Sequence, residues 1–354
     1  MRRHLIWLAG SAVASFALVW LYVVAFPLAY HGDTYVDTRV QQRRLAACDL
    51  GQVAVFGDSS AEAAIVPNLI SVSTSNFALP GTKPIETWFA VERAMRCPVP
   101  PRVVVIAHSA HMFTEPDLIW SQDGLDAVLD LDERREVERV AAQLHDPASL
   151  EPVPADGLSA GARDWAYEAR FPPMFFASLV DAVVAVRWSA NRDLVVYLGQ
   201  TRGHRLFGKA DGSSQLSSEG EMTGFKATAL VDYYFTKTLG LLDARGVEVI
   251  YLSPPLNQTT HDRIGDGLAA EFRDYLRRTS RGLRHVHIMD DVLPCWPDAF
   301  FGDKAHLNGP GAEAYSREVD ALLRDVIAGK TVEGLPGHCQ PRNAVGLMRS
   351  AARQ

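Results

Sequence analysis

The sequence predicts an α/β protein in which a mainly parallel sheet carries helices on both faces and is preceded by one transmembrane helix. The first observation is an alternation of short apolar runs and helical segments from Val53 onward, which is typical of parallel βαβ units. The second is an uncharged apolar stretch, Leu5–Phe26. The third is size, because 354 residues, 47% of them hydrophobic, can bury a substantial core.

The apolar stretch Leu5–Phe26 is long enough to cross a bilayer, which takes about 20 residues. Arg2 and Arg3 precede it, and positive charge keeps an N-terminus in the cytoplasm. We therefore expect residues 1–30 to be an uncleaved single-pass anchor in an inner membrane, with the rest of the chain in a periplasm or another extracytoplasmic space. A cleaved signal peptide is the alternative, but the stretch is long for one.

The remainder of the chain divides by composition. Residues 31–50 are polar and predict a linker, and residues 51–329 carry the strand and helix pattern of the domain. The alternation is lost between about residues 115 and 224, which predicts an insertion. Residues 330–354 predict a C-terminal tail.

The elements of the domain follow from apolar runs, periodicity and the positions of Gly, Pro and Asn. The predicted strands are Val53–Phe56, Ser75–Leu79, Val103–Ile106, Val247–Leu252 and Val286–Met289. The predicted helices are Ala61–Ile70, interrupted by Pro67, then Pro84–Met95, Glu133–Leu144, Ala227–Ala244, Arg263–Arg278 and Gly311–Ile327, the last capped by Asn308.

Two further segments of the insertion carry expectations. Met174–Trp188 is apolar but too short to span a bilayer, which indicates a buried or membrane-facing helix. Asp211–Gly224 is rich in Ser, Gly and Glu and predicts a flexible surface loop. Four aromatic residues offer flat faces for sugar rings, although core packing is the favoured interpretation. They are Trp165, Tyr167, Trp188 and Tyr197.

The four cysteines fit an oxidising compartment, where disulfides persist. Cys48 and Cys97 each precede a predicted strand, so neighbouring parallel strands would bring them together and leave Cys295 for Cys339. The sequence alone leaves three pairings open, and four reduced thiols are a further alternative.

The charge pattern excludes one class of partner. A net charge of −7 without a basic run argues against nucleic-acid binding. The His and Cys residues have no metal-ligand spacing, so we expect neither a metal nor an organic cofactor.

The segment Val53–Ser60 is the strongest functional signal. Its apolar run stops at Gly57, so Ser59 should follow the carboxyl end of a buried strand, which is where open α/β sheets bind ligands. A serine is a poor nucleophile until a base takes its proton, and Asp303 and His306 offer a carboxylate and an imidazole three residues apart.

Three blocks in this order give the chain a resemblance to the SGNH/GDSL hydrolase superfamily. They are Gly57-Asp58-Ser59 after the first strand, Asn76-Phe77-Ala78-Leu79-Pro80-Gly81, and Asp303-Lys304-Ala305-His306-Leu307-Asn308-Gly309-Pro310-Gly311-Ala312 before the last helix. Each motif is weak by itself, and their conjunction and order carry the resemblance. It implies a three-layer α/β/α sandwich with a flavodoxin-like parallel sheet.

The resemblance assigns roles to residues of the triad. Ser59 would attack an acyl carbon, His306 would take the serine proton and return it to the leaving alcohol, and Asp303 would orient the imidazole. Ser60 is the competing nucleophile by residue type. The family pattern favours Ser59, because the reactive serine directly follows the aspartate of the motif.

The oxyanion hole is the part in which the sequence departs from the family. The resemblance implies the backbone N–H groups of Ser59 and Gly81 as donors, with an asparagine after the next strand. Here that stretch is Ala107-His108-Ser109-Ala110-His111, so His108 or Ser109 would substitute, or would be an ordinary polar residue at a strand end. Asn76 is expected to brace its turn rather than to touch substrate.

The membrane-anchored branch of this superfamily implies a function. It resembles the polysaccharide O-acetyltransferases and acetylesterases of the alginate-acetylation type. The expected activity is O-acetyl or other O-acyl transfer to an exported polysaccharide, or ester hydrolysis on one, with a membrane acyltransferase partner as an acyl source by analogy. The alternative is a non-catalytic binding or scaffold subunit of an export or acylation complex.

Overall fold

The computed structural model describes residues 2–26, 32–114, 128–145, 161, 164, 187–330, 332, 334, 335 and 337–339. The helices are α1 Arg2–Ala25, α2 Asp33–Ala46, α3 Ser59–Ala64, α4 Pro84–Met95, α5 Leu131–Leu144, α6 Arg187–Gln200, α7 Ala229–Ala244, α8 Gln258–Arg263, α9 Asp266–Thr279 and α10 Gly309–Ile327. The strands are β1 Val53–Gly57, β2 Thr74–Asn76, β3 Val103–Ala107, β4 Glu248–Tyr251, β5 Leu256–Asn257, β6 Val286–Ile288 and β7 Cys295–Trp296.

Five strands form one parallel sheet in the order β2-β1-β3-β4-β6, as the alternation of elements predicts. The register aligns Gly57 with Ala107, so β1 and β3 end side by side at the same edge. Strands β5 and β7, which the sequence did not predict, form a separate parallel pair. The carboxyl edge of the larger sheet is therefore where the loops after β1 and β3 meet.

Alternate residues of β1, β3 and β4 pack into two hydrophobic clusters, as expected for strands buried on both faces. Phe56 and Ile106 join the first cluster, which contains buried apolar residues of α4, α7 and α9. Val55 and Val105 join the second, which contains those of α3 and α10. This alternation explains why the strands read as continuous apolar runs.

Helix α2 corrects the predicted linker at residues 31–50. It has a buried face and contacts α6, so this segment is part of the folded domain. Val36 and Val40 are one helical turn apart on that face. The polar composition hid the helix because Asp37, Thr38 and Gln41 are also buried.

Helix α1 has the length and composition to cross a membrane, and none of the apolar window of its candidate span Arg2–Tyr22 is buried in the structure. Two disulfides, Cys48–Cys97 and Cys295–Cys339, join the cysteines in the pairing that strand adjacency favoured. Free thiols are therefore excluded. Disulfides indicate an oxidising environment for the domain.

The insertion is described in part. Helix α5 lies where the sequence predicts a helix, whereas most of the predicted helix Met174–Trp188 lies outside the described residues. The segment Asp211–Gly224, predicted to be a flexible loop, instead forms hydrogen bonds with the rest of the domain at several points. Ser213 N donates to Asp298 O at 2.9 Å, and Ser217 N donates to Thr260 Oγ1 at 2.9 Å.

Candidate active site

Ser59 is the first residue of α3 and directly follows the turn at the end of β1. Gly57 is required there, because a Cβ on this residue would lie 1.9 Å from Ala107 O. Asp58 then caps α3, its Oδ1 accepting a hydrogen bond from Ser60 N at 2.9 Å. The serine is thus placed at the carboxyl edge by backbone geometry and a helix cap.

Asp58 also links the two central strands, a role that the sequence did not reveal. Its Oδ2 accepts a hydrogen bond from Ser109 N at 2.7 Å, while the Asp58 carboxylate is fully buried. The loop after β3 is therefore fixed to the residue that precedes Ser59.

The structure brings Ser59, His306 and Asp303 together, although Ser59 and His306 are 247 residues apart. His306 Nε2 lies 2.8 Å from Ser59 Oγ, and His306 Nδ1 lies 2.8 Å from Asp303 Oδ2. An ionised carboxylate only accepts, so Nδ1 carries the proton and, in the neutral ring, Nε2 is left to accept from the serine hydroxyl. This is the arrangement of nucleophile, base and orienting carboxylate that activates a serine.

The Asp303 carboxylate stays ionised over a wide pH range. Burial raises its pKa, but hydrogen bonds from the His306 ring and from Ala305 N outweigh burial and lower the pKa to about 2. The Ala305 N–H donates at 2.8 Å and the His306 N–H at 2.9 Å, both to Oδ1. The same bonds fold the loop so that the imidazole faces Ser59.

Asn308 and Gly302 hold this loop in place. Asn308 Oδ1 accepts from Gly311 N at 3.0 Å and caps α10, as predicted, while its Nδ2 donates to Ala299 O at 2.9 Å. A Cβ on Gly302 would lie 2.3 Å from the carbonyl carbon of Gly208, so the two backbones are in close contact. The segment around Gly208 therefore backs the histidine loop.

Gly81 lies in a turn that is fastened to the end of β1. Leu79 N donates to Gly57 O at 3.0 Å, and Thr82 Oγ1 donates to the same oxygen at 2.7 Å. Gly81 has φ +71°, a backbone conformation that favours glycine. This predicted oxyanion donor thus lies beside the residues that lead into Ser59.

Asn76 braces the turn, as predicted from the sequence. Its Nδ2 donates to Ile65 O at 3.0 Å and to Ala61 O at 3.1 Å, and its Oδ1 accepts from Ala78 N at 3.0 Å. The amide joins the segment after β2 to α3.

His108 and Ser109, the predicted substitutes for the family asparagine, differ in their placement. The His108 ring is fully buried and its Nε2 lies 2.8 Å from Thr87 Oγ1 of α4. Burial lowers the pKa of His108 to about 4, so the ring is neutral at pH 7. Ser109 commits its backbone N–H to Asp58, and its hydroxyl remains the candidate donor from this stretch.

The favoured core interpretation of the insertion aromatics is wrong for two of them. On α6, Trp188 is 52% exposed and Tyr197 is 39% exposed, because Asn191 and Leu198 form the buried side of the helix. Trp165 and Tyr167 lie outside the described residues.

The structure also shows site neighbours that the sequence did not identify. The Phe207 ring lies against the His306 ring, with centroids 4.8 Å apart. Beside the loop after β3, His111 Nδ1 lies 2.6 Å from Glu219 Oε1. Burial raises the pKa of Glu219, but hydrogen bonding and charge from His111 lower it to about 2. Only spatial proximity marks these residues, since they belong to no motif in the sequence.

No protein-family model matches the chain, and no curated protein matches it either. Within the described residues, no group of three or more His, Cys, Asp and Glu side chains is arranged to hold a metal ion.

Proposed function

We propose that the chain is a serine acyl-ester enzyme of the SGNH type. The observation that carries this proposal is the continuous hydrogen-bonded series from Ser59 Oγ through His306 to Asp303, with 2.8 Å at each link. A parallel sheet with two hydrophobic clusters supports the three-layer α/β/α architecture that the sequence resemblance implies.

The residues account for each proton in the reaction. As Ser59 Oγ bonds to the acyl carbon, its proton moves to His306 Nε2, and the charged ring is stabilised by Asp303. The N–H groups of Ser59 and Gly81 would face the negative oxygen. When the ester C–O bond breaks, Nε2 returns the proton to the leaving alcohol. Water or an acceptor alcohol then attacks the acyl-enzyme and gives its proton to Nε2. Nε2 passes that proton to Ser59 Oγ as the bond between Oγ and the acyl carbon breaks, which restores the free enzyme.

The compartment narrows the substrate class. A membrane-spanning α1 and two disulfides support an inner-membrane protein with its domain in the periplasm or another extracytoplasmic space. By the resemblance, the substrate is an exported or cell-surface polysaccharide that gains or loses O-acetyl groups. A membrane acyltransferase would be the partner that supplies acyl groups.

The test is hydrolysis of a chromogenic acetyl ester by the full-length protein in detergent, with labelling by a fluorophosphonate as a second readout. Ser59→Ala should lower kcat by at least about 10³-fold and abolish labelling. Ser60→Ala is the matched control and should leave most of the activity, because His306 Nε2 is hydrogen-bonded to the Ser59 hydroxyl and, in the described part of the chain, not to that of Ser60.

The opposite outcome would support the alternative function. If wild-type protein is folded yet neither hydrolyses the ester nor reacts with the fluorophosphonate, the serine mechanism fails. The departure from the family at Ala107–His111 would then favour a non-catalytic subunit of an acylation or export complex.

A further inference from the structure

The His306 ring has a third restraint besides Ser59 and Asp303. The centroid of the Phe207 ring lies 4.8 Å from that of the His306 ring, and the two ring planes make an angle of 35°. Hydrogen bonds at Nδ1 and Nε2 fix the two ends of an imidazole but leave rotation about the line between them. Contact with a ring on its face opposes that rotation.

Phe207 is in turn held by Arg205. The Arg205 guanidinium lies 4.8 Å from the centre of the Phe207 ring, a distance at which a cation is attracted to an aromatic face. The same guanidinium forms ion pairs with Asp33 and, at 3.5 Å, with Asp37, both on α2. The Arg205 side chain is only 15% exposed, so its position is well restrained.

The backbone of this segment is fastened to α3. His204 Nε2 donates to Ala63 O at 3.1 Å, and Arg205 N donates to Glu62 O at 3.4 Å. Glu62 lies three residues after Ser59 and packs its fully buried side chain with Asp37 of α2. Residues 204–207 therefore touch the nucleophile helix, the base and α2.

The acidic pair explains why Arg205 is needed. Asp37 and Glu62 are both fully buried, and two adjacent carboxylates cannot both be ionised at low cost. Burial and the charge of Asp37 raise the pKa of Glu62 well above 4.5, so Glu62 keeps its proton and donates a hydrogen bond to Asp37. Asp37 then carries the single charge that pairs with Arg205.

We propose that Phe207 and Arg205 are positioning residues that set the His306 imidazole and tie it to α2, the helix that follows the apolar α1. The inference rests on the proposed serine mechanism, because it assigns these residues to the orientation of its base. A displacement of about 1 Å in a reacting group can cost about 10²-fold in rate. Loss of the ring contact should therefore slow acyl-enzyme formation.

The kinetic experiment uses full-length protein in detergent and four variants. Phe207→Leu keeps apolar volume without a flat ring, Phe207→Tyr restores the ring, and Arg205→Lys keeps charge without the planar fork. Arg44→Lys is the matched control, because Arg44 lies over the Phe77 ring at 4.9 Å and pairs with Asp49, away from His306.

The expected result is a change in kcat without a change in KM. Phe207→Leu should lower kcat and the fluorophosphonate labelling rate by about 10-fold. Phe207→Tyr should recover most of this loss, and Arg205→Lys should fall between them. Arg44→Lys should match the wild type.

A spectroscopic readout separates this inference from the proposed function. The proton on His306 Nδ1, hydrogen-bonded to Asp303, should give a low-field ¹H NMR signal that His306→Gln removes. Phe207→Leu should shift or broaden that signal, whether or not the protein hydrolyses esters. Failure of the wild type to react with fluorophosphonate would refute the mechanism, while the NMR signal would still decide the positioning role.

Two outcomes would overturn the positioning role. One is an unchanged NMR signal and unchanged labelling in folded Phe207→Leu. The other is a higher KM with unchanged kcat, which would make Phe207 a substrate contact instead.

Discussion

Asp303 and the Asp37–Glu62 pair are two carboxylate sites next to α3, and they differ in what their oxygens meet. The Asp303 side chain is 35% exposed and accepts hydrogen bonds from Ala305, from the His306 backbone and from the His306 ring. Glu62, by contrast, is fully buried, and no N–H or O–H group of the described residues donates a hydrogen bond to either oxygen of its carboxyl group. Asp303 is therefore ionised, whereas the buried pair keeps one proton, on Glu62, and one negative charge, on Asp37.

The comparison shows that N–H donors, more than exposure, decide whether a carboxyl group near this serine is charged. Three donated hydrogen bonds lower the pKa of Asp303 to about 2 despite its partial burial. Burial without such donors raises the pKa of Glu62 well above 4.5. The ionised Asp303 faces the reacting groups, whereas the protonated Glu62 joins α3 to α2.

The largest expected effect is that of Asp303→Asn. It removes the charge that fixes the His306 tautomer and stabilises the charged ring, so kcat for the acetyl ester should fall by about 10³- to 10⁴-fold. Asp298→Asn is the matched control in the preceding turn, because Asp298 accepts from Thr259 at 2.7 Å and does not contact His306. Activity of Asp303→Asn within tenfold of that control would contradict the orienting role.

The ionisation of Asp303 also has a pH consequence. Its pKa is lowered from 3.8 to about 2 in the folded protein, so the stability that it contributes is present above pH 3.8 and is lost as the pH falls through about 2. Between pH 3.8 and about 2, Asp303→Asn should therefore lose less stability than the wild type. Acid unfolding followed by circular dichroism measures this loss.

The next effect concerns Asp58, a fully buried carboxylate that meets two backbone donors. In Asp58→Asn the single amide oxygen can accept from only one of Ser60 N and Ser109 N, and the NH₂ group then faces the other N–H as donor against donor. The free energy of unfolding should therefore fall by about 1 to 3 kcal/mol. Urea titration measures the change. The exposed Asp49→Asn should alter stability by less than about 1 kcal/mol, and equal losses in both variants would refute the explanation.

The sequence predicted the sheet and the three residues of the candidate active site, because short-range patterns in the chain encode them. The sheet follows from apolar runs such as Val53–Phe56 and Val103–Ile106, and Ser59, Asp303 and His306 follow from local motifs that the structure brings together. Asn76 and Asn308 have the bracing and capping contacts expected of them.

The sequence did not reveal the site formed by Asp37, Glu62 and Arg205, because these residues are far apart in the chain and are of types that are rarely buried. Arg205 and Asp33 are 172 residues apart, and no motif joins them. The buried polar residues Asp37, Thr38 and Gln41 of α2 made residues 31–50 look like a polar linker, since polar residues are mostly exposed. A ring contact such as that of Phe207 with His306 has no periodicity to predict it.

The smallest expected effect concerns the protonated carboxyl group of Glu62. Glu62 lies among Asp33, Asp37, Arg205 and Tyr197, and its raised pKa means that the folded state binds its proton more tightly than the unfolded state does. Stability should therefore fall as the pH rises from about 4.5 through the folded pKa. Glu62→Gln supplies an N–H donor to Asp37 and cannot ionise, so its Tm relative to wild type should rise by about 2 °C between pH 5 and pH 8.

Glu219→Gln is the control for Glu62→Gln, because Glu219 is equally buried yet accepts hydrogen bonds from His111 and Ser217 at 2.6 Å each. Although burial raises its pKa, these partners lower it to about 2, so Glu219 is ionised at both pH values. Its amide variant should have a lower Tm than wild type at pH 5 and at pH 8 alike. If both variants shift in the same direction with pH, donors do not determine which buried glutamate keeps its proton.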